Sequence, residues 1–397
     1  MSFRKPEAVH KGRGATFNPE GRFETLTRYR TDDGWVPDGE PARAPQTVVR
    51  PDAARSLITR NDSPDLSFAL SVNPYRGCEH GCIYCFARPS HAYLNLSPGL
   101  DFETQLFYKP DAAALFEREL RKPGYRCEVI VLGVNTDAWQ PIERELKVTR
   151  SLLEVALRFR QPLGVITKGA TLMERDLDLL AALARERLVS VTLSITSLND
   201  EIKRTLEPRT ASPAARLRLV RKLADAGVPV GVNVAPVIPV ITDPELERIL
   251  EAARDAGAQD ASYVMLRLPW EVKDLFEHWL REHHPLKADH VLSLLKQMHG
   301  GEAQHRAAAP AAAADEDATQ EAQPETPTPA PSPFRGNPYY SAEWGVRGRG
   351  RGPFAQMFEQ RFRLACRRLG LDRTDRMALD TTRFAPPPAA GDQFSLI

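Results

Sequence analysis

Between about residues 62 and 285, short runs of Val, Ile and Leu alternate with longer amphipathic stretches, and this limits the chain to two architectures. The runs fall at 66–72, 128–134, 163–167, 188–195, 228–235 and 262–266. All are bounded by turn residues, and most are apolar throughout, as strands buried on both faces are. Between them Leu152, Ala156 and Phe159 recur at helical spacing, as do Leu177, Leu180, Ala181 and Ala184. Ser212-Pro213 and Asp243-Pro244 each set a capping side chain before a proline at the first helical position, and Gly227 and Gly257 stand where a helix should stop. Six strand–helix units require parallel strands joined by right-handed crossovers, in a whole or partial barrel or in an open doubly wound sheet. Sequence period does not separate these two. In both, functional groups gather at the C-terminal ends of the strands.

The flanks read differently. Residues 1–60 are polar and rich in Arg, Gly and Pro, which predicts an extended or partly disordered arm lying on the α/β domain of 61–290. Within it Arg13-Gly14 and Asn18-Pro19 are the points expected to be ordered. Residues 300–333 combine an Ala-rich run, Asp315-Glu316-Asp317, and Pro327, Pro329, Pro331 and Pro333, a composition that buries too little apolar surface to fold. A disordered linker is expected there. Residues 334–397 form a basic tail with GVRGRGRG at 345–352 and one amphipathic helix over 354–369 carrying Arg361, Arg363, Arg367 and Arg368. The formal net charge of +1 calls for no nucleic-acid or membrane partner by itself, so such a partner needs a local basic patch. With no apolar leader in residues 1–13 and no run of roughly 20 apolar residues, a cytoplasmic protein without a membrane span is expected.

Five cysteines, an odd number, argue against a disulfide framework, and three of them crowd into eight residues. Directly after the first strand run comes Asn73-Pro74-Tyr75-Arg76-Gly77-Cys78-Glu79-His80-Gly81-Cys82-Ile83-Tyr84-Cys85. Three thiolates on a glycine-flanked loop suit three irons of one cubane cluster and leave the fourth iron for a substrate. A zinc site with His80 or His91 as fourth ligand is the competing reading, but no second Cys/His pair follows at a suitable spacing. Cys127 precedes the second strand, away from the functional end, and reads as a buried small hydrophobe.

A C-x3-C-x-aromatic-C loop that opens a six-unit α/β domain resembles the radical S-adenosylmethionine superfamily. Within it the chain looks like the spore photoproduct lyase-like branch, whose members are often labelled DNA repair photolyases. The resemblance spans about 62–285 and includes Thr167-Lys168, Ser194-Ile195-Thr196, Glu207-Pro208-Arg209-Thr210 and Val234-Ala235-Pro236. It implies an incomplete (β/α)6 TIM-like barrel in which Cys78, Cys82 and Cys85 ligate a [4Fe–4S] cluster. It further implies Tyr84 near the adenine of S-adenosylmethionine, Lys168 and Ser194 at its carboxylate or ribose, Ala235 offering backbone to the adenine, and Thr136 or Asp137 at the methionine end. The residues alone agree on placement, since all these polar groups fall at strand C-termini. The lyase that names the branch carries a hydrogen-donating cysteine after its second strand; Val134-Asn135-Thr136-Asp137 has none, so thymine-dimer repair is not implied.

The expected chemistry is reductive cleavage of S-adenosylmethionine to methionine and a 5′-deoxyadenosyl radical that abstracts hydrogen from a substrate. A reductase or a flavodoxin- or ferredoxin-type donor would supply the electron. The basic tail suggests a nucleic-acid substrate, and Arg267 and Trp270 after the sixth strand run could serve substrate binding or packing. The alternative is a non-catalytic Fe–S or zinc-binding protein that serves sensing or nucleic-acid binding.

Overall fold

A computed structural model of the chain describes residues 12–23, 45–300, 337–372 and 378–388. The stretch read as a linker lies outside the described residues except for Gly300, as do residues 1–11 and 24–44 of the arm and 334–336, 373–377 and 389–397 of the tail.

Ten strands are described. They are β1 (Val48–Pro51), β2 (Ile58–Arg60), β3 (Leu70–Val72), β4 (Tyr75–Arg76), β5 (Gln105–Tyr108), β6 (Ile130–Leu132), β7 (Leu163–Thr167), β8 (Val189–Ser194), β9 (Val230–Val237) and β10 (Asp260–Met265). The α-helices are α1 (Leu100–Thr104), α2 (Ala112–Leu120), α3 (Glu143–Leu146), α4 (Val148–Phe159), α5 (Thr171–Glu174), α6 (Leu177–Arg185), α7 (Asp200–Leu206), α8 (Pro213–Asp225), α9 (Leu246–Asp255), α10 (Val272–His283), α11 (Pro285–His299) and α12 (Gly352–Leu369).

Strand order decides between the two architectures left open by the sequence. The main sheet runs β10-β9-β8-β7-β6-β3-β2, parallel from β3 to β10 with β2 antiparallel at one edge. From β3 onward, spatial order follows chain order with no reversal. A doubly wound sheet reverses at a switch point, whereas a barrel keeps winding one way. The two ends do not pair, so this is a partial barrel of six parallel strands. A small second sheet, β1-β5-β4, sits beside the cysteine loop; all three of its strands, like β2, are short elements absent from the six expected runs.

The apolar code is visible in the packing. Leu152, Leu153, Ala156 and Phe159 of α4 are fully buried against the sheet, each contributing about 1.5–3 kcal/mol if a full Leu or Phe side chain. On α6 the buried stripe is Leu180 and Leu183, so the core face lies a little off the expected Leu177–Ala184 set. Ser212 caps α8 by accepting the Ala215 N–H (3.2 Å), as its placement before Pro213 predicts. Asp243-Pro244 departs from expectation: it opens a 3-10 turn, and α9 starts at Leu246.

The C-terminal residues close the open edge. Ala261 N–H bonds Leu371 O (3.1 Å) and Met265 N–H bonds Gly348 O (3.0 Å), so β10 is not left as a bare edge. Helix α12 packs on α9, with Tyr263 between Phe358 and Phe362 (centroids 5.1 and 4.8 Å). Among the described residues no helix is long and apolar enough to cross a membrane.

Candidate functional site

The cysteine loop leaves β3 and β4 and is fastened from every side. Asn73 Oδ1 accepts the Asn135 N–H (2.8 Å), Thr136 Oγ1 donates to Tyr75 O (3.1 Å), and Gln140 bonds both Glu79 N (2.8 Å) and Gly77 O (3.2 Å). Cys78 N–H reaches Phe102 O (2.9 Å) and Ile83 N–H reaches Leu206 O (3.1 Å). Beneath it Arg88, wholly buried, donates to Cys82 O (2.9 Å) and pairs with Glu103 (2.5 Å). The Glu103 carboxylate also accepts the N–H groups of Gly14 and Ala15 (2.9 and 2.8 Å), which ties the N-terminal segment to the loop.

Two glycines make the loop possible. Gly77 and Gly81 adopt φ of +76° and +67°. A Cβ at Gly77 would stand 2.5 Å from Leu106 Cδ2, and one at Gly81 would stand 2.8 Å from Glu103 Oε2. Neither the conformation nor the space admits another residue without rearrangement.

Cys78, Cys82 and Cys85 open onto one cavity of about 260 Å³ at the C-terminal ends of the strands. The remaining residues expected from the sequence line it as well: Tyr84, Thr136, Asp137, Lys168, Ser194 and Ala235. Their conditions differ. Asp137 is saturated: Oδ1 accepts Trp139 N–H (2.9 Å) and Thr167 Oγ1 (2.7 Å), while Oδ2 accepts Lys168 N–H (2.6 Å) and lies 3.3 Å from His80 Nδ1. Burial pushes this carboxyl up, but His80 and these donors outweigh it and hold it well below the usual carboxylate range. Its visible work is to brace the loop after β6 against β7. Thr136 is likewise committed to Tyr75 O, and the Ala235 carbonyl, whose peptide bond to Pro236 is cis, accepts Thr196 Oγ1 (2.7 Å).

Lys168 and Ser194 are free in the relevant sense. Lys168 Nζ stands 5.8 Å from the Tyr84 ring centroid and makes no ion pair with a described residue. The Ser194 hydroxyl makes no hydrogen bond to a described residue, although its carbonyl accepts Arg216 (2.8 Å). Asn233, in the apolar run of β9, went unnoticed in the sequence. Its Oδ1 is buried in the cavity wall without a hydrogen-bond partner. A lone amide inside VGVNVA was the available signal, since a polar residue in a strand buried on both faces must find a partner.

Below Tyr84 lies a second unexpected feature. The Tyr84 phenol donates to Glu207, which also takes Thr196 Oγ1 (2.5 Å) and the Arg216 guanidinium (2.5 Å). Glu207 and Arg216 are each 1% exposed. Glu207 does not pair with Arg209, two residues on; Arg209 pairs instead with Glu79 (3.0 Å). Burial raises the Glu207 carboxyl, but Arg216, Lys168 and the two hydroxyls outweigh it and leave it at about 2.

Cys78 and Cys82 are buried and Cys85 is half-buried. Burial raises the Cys78 thiol well above its ordinary value and the Cys82 thiol up to about 12, so bare thiolates are disfavoured and bound iron would have to supply the compensating charge. Among the described residues no three His, Cys, Asp or Glu side chains converge on one metal ion. His91 turns from the cavity to Gln105 O (2.9 Å), and His80 faces Asp137. Cys127 lies outside the site and is only half-buried, near Gln161 Oε1 (3.7 Å).

Comparison with known proteins places this cavity in context. Residues 72–253 match the model of the radical SAM superfamily. An uncharacterized protein of Mycobacterium tuberculosis is 40% identical over 222 residues, which cover 55% of this chain and 65% of the relative. One from Methanocaldococcus jannaschii is 27% identical over 174 residues, covering 44% of this chain and 62% of that protein. The chain thus spans just under two thirds of the length of these curated relatives. Among solved structures, a spore photoproduct lyase variant with bound AdoMet and dinucleoside spore photoproduct aligns over 60% of this chain and 67% of its own, at 19% identity and a TM-score of 0.44.

Proposed function

We propose that this chain, whose residues 72–253 belong to the radical SAM superfamily, holds a [4Fe–4S] cluster on Cys78, Cys82 and Cys85 and cleaves S-adenosylmethionine reductively. The observation that carries this is the convergence of three thiols from one loop with an unpaired lysine and an orphaned amide on a single cavity. Held by Cys78, Cys82 and Cys85, such a cluster would supply the single electron that reductive cleavage of the S-adenosylmethionine sulfonium requires.

The chain's own residues do the rest by positioning. Lys168 offers a point charge to the cofactor carboxylate. Asn233 Oδ1 accepts a hydrogen bond from an amino or hydroxyl group, ending its own unpaired state. Ser194 contributes a hydroxyl, and Tyr84, fixed by Glu207, presents a ring that does not shift. The buried Arg88–Glu103 pair under Cys82 holds the loop rigid, so that the three thiols keep their spacing. Cys78 and Cys82 are 7% and 8% exposed, which keeps water from the reacting centre. The electron comes from a flavodoxin- or ferredoxin-type partner or a reductase. A nucleic-acid backbone that meets the basic C-terminal residues is the candidate substrate contact, and steep weakening of binding with salt is its signature.

Anaerobic reconstitution tests the proposal. The reduced protein should give a cubane paramagnetic signal that shifts when S-adenosylmethionine is added, and should form 5′-deoxyadenosine; Cys82→Ala should lose both. A signal indifferent to the cofactor would point to a sensing cluster. Stoichiometric zinc without sulfide would overturn the proposal.

A further inference from the structure

The thiol-lined cavity opens into a wider groove of about 1180 Å³, and the two share Leu66, Phe86, Asn135 and Arg267 in their walls. Guanidinium groups lie over rings throughout this groove: Arg267 over Phe86 (4.3 Å to the centroid), Arg22 over Trp270 (4.5 Å), Arg347 over Trp344 (4.4 Å) and Arg349 over Tyr263 (4.3 Å). Phe86 is 40% exposed, Trp344 55% and Tyr93 71%, so part of each ring stays accessible although an arginine lies over one face of each.

The arginines are not equivalent. Arg22 pairs with Glu271 (3.3 Å) and Arg347 with Asp65 (2.7 Å), while Arg349 is exposed and lies over the Tyr263 ring. Arg267 makes no ion pair or hydrogen bond with a described residue, although it is half-buried. Its place is set from both sides: it stands two residues after the end of β10, and its ring partner Phe86 follows Cys85. Burial pulls its guanidinium below the ordinary value, which is the state that an incoming oxyanion relieves.

A planar fork of donors matches phosphate or carboxylate, and exposed rings match a flat base. An acidic peptide would answer the cation and leave the rings uncovered. An apolar substrate would do the reverse. We propose that Arg267, braced on Phe86, binds the phosphate of a nucleotide unit whose base stacks on the groove's exposed rings, the unit being a free nucleotide or part of a single strand. This deepens the function proposed above and rests on it only for the identity of the adjoining cavity. Trp344, Arg347 and Asp65 all lie outside residues 72–253, so this part of the wall is not set by the family-matched region.

The test uses the full chain, cluster-loaded and without reductant. Probes are a short fluorescein-labelled single-stranded oligonucleotide of mixed sequence, cytidine 5′-monophosphate, cytidine and hexaglutamate. Arg267→Gln should weaken the phosphate-bearing probes by roughly tenfold or more, with Arg267→Lys between it and the parent. Cytidine and S-adenosylmethionine affinities should be unchanged. Trp344→Ala, at an exposed position, should weaken the oligonucleotide severalfold and serves if Arg267→Gln fails to load its cluster. Binding of both the monophosphate and the strand assigns the free unit, and binding of the strand alone assigns the strand. Four results would overturn the proposal: no binding of either probe to the parent protein, no effect of the variants, equal displacement by hexaglutamate, or a parallel loss of S-adenosylmethionine affinity. Because no turnover is involved, failure of reductive cleavage leaves these binding results interpretable.

Discussion

Glu207→Gln removes one charge from the network beneath Tyr84 and changes almost no volume. It leaves the Arg216 guanidinium, 1% exposed, without its counterion and replaces an acceptor of three donors by an amide that accepts on one side only. Breaking a buried ion pair from one side costs about 3–5 kcal/mol, because the remaining charge stays desolvated. With a urea m-value of about 3 kcal/mol/M, the midpoint of unfolding should fall by about 1–1.7 M. Equilibrium urea unfolding under anaerobic conditions at pH 7, followed by circular dichroism, measures this. Glu207→Gln/Arg216→Met removes both charges and should recover at least half of the loss. The carboxyl lies at about 2 in the fold against an ordinary value near 4.5. Its contribution is therefore present above about 4.5 and is lost as pH falls toward 2, and the Gln variant should lack that component. A single variant within about 1 kcal/mol of the parent, or a double variant as unstable as the single, would refute the assignment of this pair as the support of the site.

Asn233→Ala should weaken S-adenosylmethionine binding about 2- to 10-fold while leaving the stability of the unliganded protein unchanged or slightly raised, since it deletes an unpaired buried acceptor; titration calorimetry and thermal melts read the two effects separately. Gly81→Ala should cost at least about 1–2 kcal/mol from its left-handed backbone alone and lower iron incorporation, because its Cβ would press on Glu103; a normal iron content would contradict the geometry. Burial holds the His91 and His299 imidazoles down to about 4, so the unfolded chain takes up protons first and stability should decline as pH drops from about 6.5 toward 4. His299→Gln, which keeps a donor for Leu266 O, should make that decline shallower in urea titrations at stepped pH. Phe358→Ala, at a fully buried position of α12, should cost about 3–5 kcal/mol and expose β10 to hydrogen exchange.

The strands and the thiol loop were legible because their signals are local. An apolar run of six residues buries itself wherever it is placed, and β7 falls at 163–167 as read. C-x3-C-x2-C sets three thiols within eight residues, and all three line one cavity. The order expected at Arg13-Gly14 is present too: the Gly14 N–H meets the Glu103 carboxylate and the Arg13 guanidinium donates to the Glu103 carbonyl. The placement of Lys168 and Ser194 at strand ends followed from the rule that functional groups gather at strand C-termini.

The sequence by itself thus determined six parallel strands, one three-thiol loop after the first of them, and a set of polar groups at one end. Tertiary structure alone decided the rest. Strand order selected a partial barrel over a doubly wound sheet, because the same period serves both and only pairing reveals the winding. Partner choice assigned Glu207 to Arg216, nine residues on across a helix start, and not to the nearer Arg209, because the buried geometry places one guanidinium beside the carboxylate and turns the other toward Glu79. It also spent the Asp137 oxygens on bracing and left Asn233 unpaired, a distinction that depends on which donors arrive from distant segments. Finally, it brought residues 337–372 back to cover β10, since an open barrel leaves an unpaired edge and nothing local in a Gly-Arg tract names the strand it will protect.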